Sequence, residues 1–339
     1  MIEYNDATIE NLIFHRIGIE SNISFLSNAE YDLNGSEEED VLKKVFLKPF
    51  VGNTTTYEFK HDIELELNTL FKLARDIFNG GDFYEKSKDV HQHLKSVSKH
   101  PNIKDGDLFI VKYDDVTMGN KSHEALGIYK VENKETFIET KSDDTGLSFK
   151  KGIGTRRLDK ACLILFNDEP YTVFVIDNGS TETDYWINDF INVRYRNDYV
   201  NSTNQFLTLT KSFITEQIPN EFEVNKADQI DLLNRSVEYF KTHETFEKEG
   251  FEKEVFQDNE VIGSFQKFNK TYTDDNDINV SGNFEISIQA VKKQARVFKS
   301  ILKLDKNFHI YIHGDRNLIE QGEEKDGRKY YKIYYKDES

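Results

Sequence analysis

From Gly106 to about Val193 the chain changes period, and this stretch limits the fold more than any other. Leu108-Phe109-Ile110-Val111, Ala125-Leu126-Gly127-Ile128-Tyr129, Thr136-Phe137-Ile138, Leu163-Ile164-Leu165-Phe166 and Val173-Phe174-Val175-Ile176 are short apolar runs with polar turns between them. Parallel strands need crossovers of a dozen or more residues, and most of these gaps have no room for a helix. An antiparallel meander is therefore expected.

The flanks read differently. Leu12–Ile17 and Ile23–Leu26 form a short β unit. Ser36 followed by Glu37-Glu38-Glu39 reads as a helix N-cap with an acidic first turn. From about Asp62 the residues Leu67, Leu70, Phe71, Ala74, Ile77 and Phe78 share one helical face, and Asn79-Gly80-Gly81 stops it. A further helix is expected over 82–99, and another from Ser202 to Gln217 closes this half. Ile218-Pro219-Asn220-Glu221 is the expected boundary, dividing the chain into an N-terminal α+β domain, 1–218, and a C-terminal domain, 222–339.

In the second half Ile230, Leu233, Val237 and Phe240 fall on one helical face, and helical segments continue to about Thr273. A helix is expected over 286–300. Strands follow around Phe308, Ile310 and Ile312, and Asp326-Gly327 signals a hairpin before Lys329–Tyr335. The fold class is α+β: an N-terminal antiparallel sheet with flanking helices, then a helical region followed by a small antiparallel sheet.

The 339 residues include 26 Phe and 17 Tyr, enough to fill real cores, whereas disordered chains are poor in aromatics. No apolar run approaches the ~18 residues of a membrane span, and Met1–Asp6 has no signal-peptide character. The single cysteine, Cys162, lies in Ala161-Cys162-Leu163-Ile164-Leu165 and reads as a small buried hydrophobe. These features predict a cytoplasmic chain without a membrane partner. A net charge of −17 favours protein partners over nucleic acid.

The catalytic patterns are weak. Asp114 or Asp115 followed by Glu139-Thr140-Lys141 matches a Mg²⁺-dependent nuclease, but Glu-x-Lys recurs at Glu58, Glu132 and Glu323, as so charged a chain allows by chance. His309 and His313 share a strand face without a third zinc ligand. Gly152-Ile153-Gly154 lacks the third glycine of a dinucleotide fingerprint. No cofactor or metal is expected, and the chain reads as non-enzymatic.

One charge pattern is local. Between Ala290 and Arg316 stand Lys292, Lys293, Arg296, Lys299, Lys303, Lys306 and Arg316, against only Asp305 and Asp315. Lys292, Arg296 and Lys299 stack at helical spacing beside an apolar face of Val291, Ala295 and Phe298, the pattern of a phosphate-binding ridge. An ordinary solvated helix face would look the same. A smaller basic cluster is Lys150, Lys151, Arg156, Arg157 and Lys160.

The stretch Asn225–Phe240, the run Ala290–Arg296 and its continuation Lys303–Asp315 resemble the 37-kDa nucleoid-associated bacterial protein family, in a Bacteroidetes-type version. Leu158–Cys162, Val175–Asp177 and Tyr185-Trp186 resemble it as well. The resemblance implies a nucleoid location, double-stranded DNA as partner, and a second route through a topoisomerase or other DNA-processing protein. It implies no named enzymatic activity and carries over no DNA-contacting residue. Oligomeric state stays open, a homodimer included. If about four to six phosphates are engaged, log affinity falls with log salt at a slope near −4 to −5.

Overall fold

A computed structural model of the chain describes residues 2–18, 24–140, 146–155, 157–178, 184–276, 282–295, 298, 301–312 and 318–337. It forms two compact units, Met1–Arg196 and Asn197–Ser339.

The first unit is built on one antiparallel sheet. Its strands are β1 (Ile2–Glu3), β2 (Thr8–Ile17), β3 (Phe25–Leu26), β4 (Tyr57–Phe59), β5 (Gly106–Met118), β6 (Lys121–Val131), β9 (Lys160–Leu165), β10 (Thr172–Asp177) and β11 (Val193–Tyr195), while β7 (Glu135–Thr140) and β8 (Leu147–Gly152) pair separately. The order is β11-β4-β10-β9-β6-β5-β2-β3, with β1 also on β5. The expected meander forms its centre except for the run Thr136–Ile138, which lies on β7 and pairs with β8 outside this sheet.

Both faces of this sheet are covered, which explains why β9 is buried at every position. Alternation sends Cys162 and Ile164 to the face packed by α2 (Thr69–Phe78) and α3 (Phe83–Val97), with Phe71, Ile77, Leu94 and Trp186 among the partners. Ala161, Leu163 and Leu165 point to the other face, where Val45, Phe46 and Phe50 close over them from α1 (Ser36–Phe46) and the turn after it. Burial pushes the Cys162 thiol far above its ordinary range, so it is the inert hydrophobe expected.

Several expected helix starts shift. Ser36 is the first residue of α1; Gly35, at φ 122°, takes the cap position, and the Glu38 carboxylate accepts the Asn34 N–H at 2.7 Å. The helix expected from Asp62 begins at Thr69, because Leu65–Leu67 forms a 3₁₀ turn and Asn68 caps α2 through Phe71 N–H. The Asn68 amide also donates to Lys60, Ile191 and Asn192 carbonyls at 2.9, 3.1 and 2.9 Å.

His15 on β2 is fully buried. Its Nδ1 accepts the Ser27 N–H at 3.2 Å, and Nε2 faces Ser87 Oγ at 3.0 Å, a hydroxyl already donating to Tyr84 O. The neutral ring therefore carries its proton on Nε2. Burial, with His91 and Lys88 adding repulsion, pushes its pKa down to about 4. The unfolded chain takes up this proton near pH 6.5 and the folded chain does not, so stability is full above pH 6.5 and falls between about 6.5 and 4. Roughly 3 kcal/mol is expected to be lost across that window. Urea midpoints measured from pH 7 to 4 check this, with His15→Gln flattening the slope; an unchanged slope in that variant would refute the assignment.

The second unit contains α4 (Tyr199–Ser212), α5 (Ile218–Glu221), α6 (Lys226–Thr242), α7 (Lys248–Phe251), α8 (Asn259–Asp275) and α9 (Ile288–Ala295). Its described strands form three antiparallel pairs: β12 (Thr245–Glu247) with β13 (Asn283–Glu285) across α7 and α8, and the hairpins β14 (Ile301–Leu304) with β15 (Phe308–Tyr311) and β16 (Ile319–Glu323) with β17 (Lys329–Ile333). The break between units falls at Arg196, upstream of the boundary expected at 218–221. The reason is α4: Phe206, Leu207 and Leu209 join the cluster built from Leu233, Val237 and Phe240 of α6, Phe251 and Phe265. A capping box between Asn225 and Asp228 fixes the start of α6. Gly327, at φ 86°, makes the expected Asp326-Gly327 turn, and Tyr330 lays its ring over Gly322 across β16–β17.

Candidate nucleic-acid interface

The basic stretch is carried by two elements that both pack on α6. Helix α9 is anchored by buried Ala290 and Val291. Its entry is fixed by Ser287, whose N–H donates to Thr203 Oγ1 at 3.0 Å and whose hydroxyl accepts the Ala290 N–H at 3.3 Å. This anchoring leaves Lys292 and Lys293 exposed. The described helix ends at Ala295, short of the expected Ser300; one helical bond, Phe298 N–H to Gln294 O, lies beyond it at 3.2 Å. The next described element is a strand that starts at Ile301.

The β14–β15 hairpin is the second element. Leu302 faces inward onto Ala227 and Ile230 of α6, together with Ile312 and Ile319. Alternation then places Lys303 and His309, which sit opposite each other, on the outward face, and Lys306 in the exposed turn. Lys292, Lys303 and Lys306 form no ion pair with another described residue. Of the seven cations in the expected ridge, Arg296, Lys299 and Arg316 lie outside the described residues, as do Lys141, Arg156 and His313. The i, i+4, i+7 stack is therefore represented by Lys292 alone.

Among the described residues, three members of the smaller basic cluster are turned to partners of their own. Lys160 is buried and paired with Asp177 at 2.6 Å; Lys150 is paired with Glu139 at 2.6 Å across β7–β8. Arg157 donates to Asn178 O at 2.5 Å.

What forms instead is a buried charged network that pattern reading did not pick out. Lys130 and Lys160 are direct cross-strand partners on β6 and β9. Two cations in that relation repel. Here Lys130 donates to Glu132, Tyr185 and Lys104 O at 2.9, 3.0 and 2.6 Å, and Lys160 to Asp177. The Tyr185 ring lies near both ammonium groups, at 5.4 and 5.1 Å. Desolvation still holds the Lys130 pKa below its ordinary value. Asp159 accepts the Glu132 and Asn133 N–H groups at 2.8 and 2.9 Å, and Trp186 Nε1 donates to Ala161 O at 3.3 Å. Each lysine has its own carboxylate, so the network clamps the Tyr185–Trp186 segment to the strand ends. The strings Leu158–Cys162, Val175–Asp177 and Tyr185-Trp186, distant in sequence, meet here.

The described nuclease candidates stand on different sheets. Asp114 on β5 lies against Glu10, whose hydrogen bond, with burial, pushes it up to about 6. Glu139 instead belongs to the β7–β8 hairpin, where Lys150 and Ser148 occupy its carboxylate. Among the described residues no group of three or more His, Cys, Asp or Glu side chains could hold a metal ion. No helix among them is long and apolar enough to cross a membrane.

No curated protein matches the chain. The family model described as nucleoid-associated protein YejK matches residues 13–330, a span that takes in the Lys130–Lys160 network of the first unit and the basic elements of the second. On that match the chain belongs to this family of nucleoid-associated proteins.

Proposed function

We propose that the chain binds double-stranded DNA without sequence preference and without catalysing a reaction on it, through cationic side chains of α9 and the β14–β15 hairpin. Family membership gives it a nucleoid-associated role, and so a place in the cytoplasm. The observation that carries the finer reading is the exposure of Lys292, Lys293, Lys303 and Lys306 on elements anchored by their opposite faces. A chain of −17 can still present such a surface to phosphate, because charges beyond about 8 Å are largely screened at physiological salt.

The test is a salt titration of binding to a fluorescent duplex of arbitrary sequence. With four to six phosphates engaged, affinity is expected to fall roughly 10²–10³-fold between 50 and 200 mM salt. Lys292→Glu/Lys293→Glu/Lys303→Glu/Lys306→Glu should abolish binding. Salt-independent binding, or binding unaffected by the four changes, would refute the electrostatic interface. Mg²⁺-stimulated cleavage of the duplex would refute the non-enzymatic reading.

The net charge supports a second reading, in which the chain reaches the nucleoid through a DNA-processing protein such as a topoisomerase. That reading predicts no duplex binding by the purified chain at any salt.

A further inference from the structure

The outward face of the β14–β15 hairpin sets two basic side chains opposite each other with no acid between them. Lys303 and His309 are direct cross-strand partners, and both are exposed. Among the described residues neither side chain has an ion pair or a hydrogen bond. The β16–β17 hairpin is built the other way, with Glu320 opposite Lys332 and Glu323 opposite Lys329. Lys130 and Lys160 are another opposed basic pair, yet each is held by a carboxylate, Glu132 and Asp177 respectively. Two cations placed opposite each other repel, and an anion between them removes the conflict.

We propose that Lys303 and His309 hold one DNA phosphate between them, and that the imidazole takes up a proton from solvent as the duplex binds. This rests on the reading of the hairpin as a duplex contact and adds a titratable member to it. The ammonium group supplies a fixed charge. Imidazole changes its charge between about pH 5 and 8, so the ring supplies one only towards the acid side. A phosphate oxygen against the ring favours the charged form and accepts a charge-assisted hydrogen bond from it. The complex then carries more protons than the free chain. Affinity therefore rises as pH falls through that range, and the gain is lost as pH rises.

The surroundings of the ring, among the described residues, leave this role to the phosphate. On its face of the ribbon stand Lys303 and Tyr311, with Asp305 and Lys306 in the turn. Asp305 is the one acid of this hairpin, and it accepts the Asn307 N–H at 2.8 Å. α6, β16 and β17 pack against the opposite face through Ala227, Ile230, Ile319 and Tyr331. On those elements Asp231 is paired with Arg235 at 2.9 Å and Glu320 with Lys332 at 3.8 Å.

The experiment is titration calorimetry of the full chain with the duplex of arbitrary sequence, at about pH 6.5, in two buffers of different ionisation heat. Salt titrations of fluorescent duplex at about pH 8 and about pH 5.5 accompany it. The wild type should take up a fraction of a proton on binding, and His309→Gln should take up less. Between the two pH values wild-type affinity should rise about 2–5-fold more than that of His309→Gln, the effect of one exposed charge pair. The wild-type salt slope should steepen by about 0.9 more than the variant's, as for one further phosphate. Reading the difference between the two proteins removes the contribution of the other histidines. His309→Lys should keep the stronger binding at both pH values and lose the same share of proton uptake.

Duplex binding with proton uptake undiminished in His309→Gln or His309→Lys would overturn the proposal and leave the electrostatic interface intact. Duplex binding by the wild type without proton uptake would do the same. No duplex binding at any pH or salt would overturn the interface and this proposal together.

Discussion

Asp177→Ala is expected to destabilise the first unit by about 1–3 kcal/mol, the cost of leaving a buried charged group without its partner. Asp177 is the carboxylate that Lys160 contacts at 2.6 Å, and the lysine side chain is only 3% exposed. Its other near neighbours are the Tyr185 ring and the like-charged Lys130. Removing the carboxylate leaves a buried ammonium group with a repulsive neighbour, relieved only in part by water entering where the 19% exposed Asp177 side chain stood. The double change Lys160→Met/Asp177→Leu should recover most of the loss, because replacing both charges with apolar groups of similar volume is often neutral or better. Urea unfolding of both variants decides it. A loss below about 1 kcal/mol in Asp177→Ala would mean the pair behaves as a surface bridge.

The second large effect belongs to the other unit. Phe206→Ala should cost about 3–5 kcal/mol, a transfer term plus a cavity term. Phe206 is 1% exposed and is the hub of the aromatic core. Its ring centroid lies 4.2 Å from that of Phe246, 5.1 Å from Phe251, 5.9 Å from Phe265, 6.0 Å from Phe240 and 6.5 Å from Phe284. Five rings cannot all move inward to fill one void, so little of the cavity will collapse. Ile63→Ala, at a residue 81% exposed, should by contrast leave the urea midpoint within about 0.5 kcal/mol. Equal effects from the two changes would contradict the core assignment.

The central sheet was legible because its signal is local. Each run from Leu108 to Ile176 carries its own turn chemistry, and an antiparallel neighbour needs no long crossover. The placement of β4 was not legible. Tyr57-Glu58-Phe59 is three residues long, and its pairing with β10 and β11 depends on contacts made more than a hundred positions away. The break at Arg196 was hidden for a related reason. The apolar face of α4 fits either unit by pattern, and only the aromatic ring set around Phe206 assigns it.

The basic elements were readable as composition, since Lys292, Lys293, Lys303 and Lys306 are close in sequence. The buried network was unreadable as chemistry. Lys130, Lys160, Asp177 and Tyr185 become partners only through strand register, and a lysine in a strand gives no sign of which end of the sheet it faces. The same register dispersed the smaller basic cluster, taking Lys160 into the interior and tying Lys150 to Glu139. Family resemblance did mark three of the converging strings, without indicating that they touch.

The strand order also sets a timetable for synthesis. β2 emerges early with Leu12 and Ile13 to hide, yet the strand that pairs along its length, β5, comes about a hundred residues later. At bacterial or cellular elongation rates of about 5–20 residues per second that is a wait of roughly 5–20 s. The short strand β4 waits longer, since its partners β10 and β11 follow only at Thr172 and Val193. The nascent chain thus carries unpaired strand edges until nearly all of the first unit has left the ribosome. The second unit has a wait of its own, since α4 packs on α9 and Phe206 on Phe284, which are made much later. The folding of each unit in the cell is therefore paced by its own translation, the interval in which a holding chaperone has something to bind.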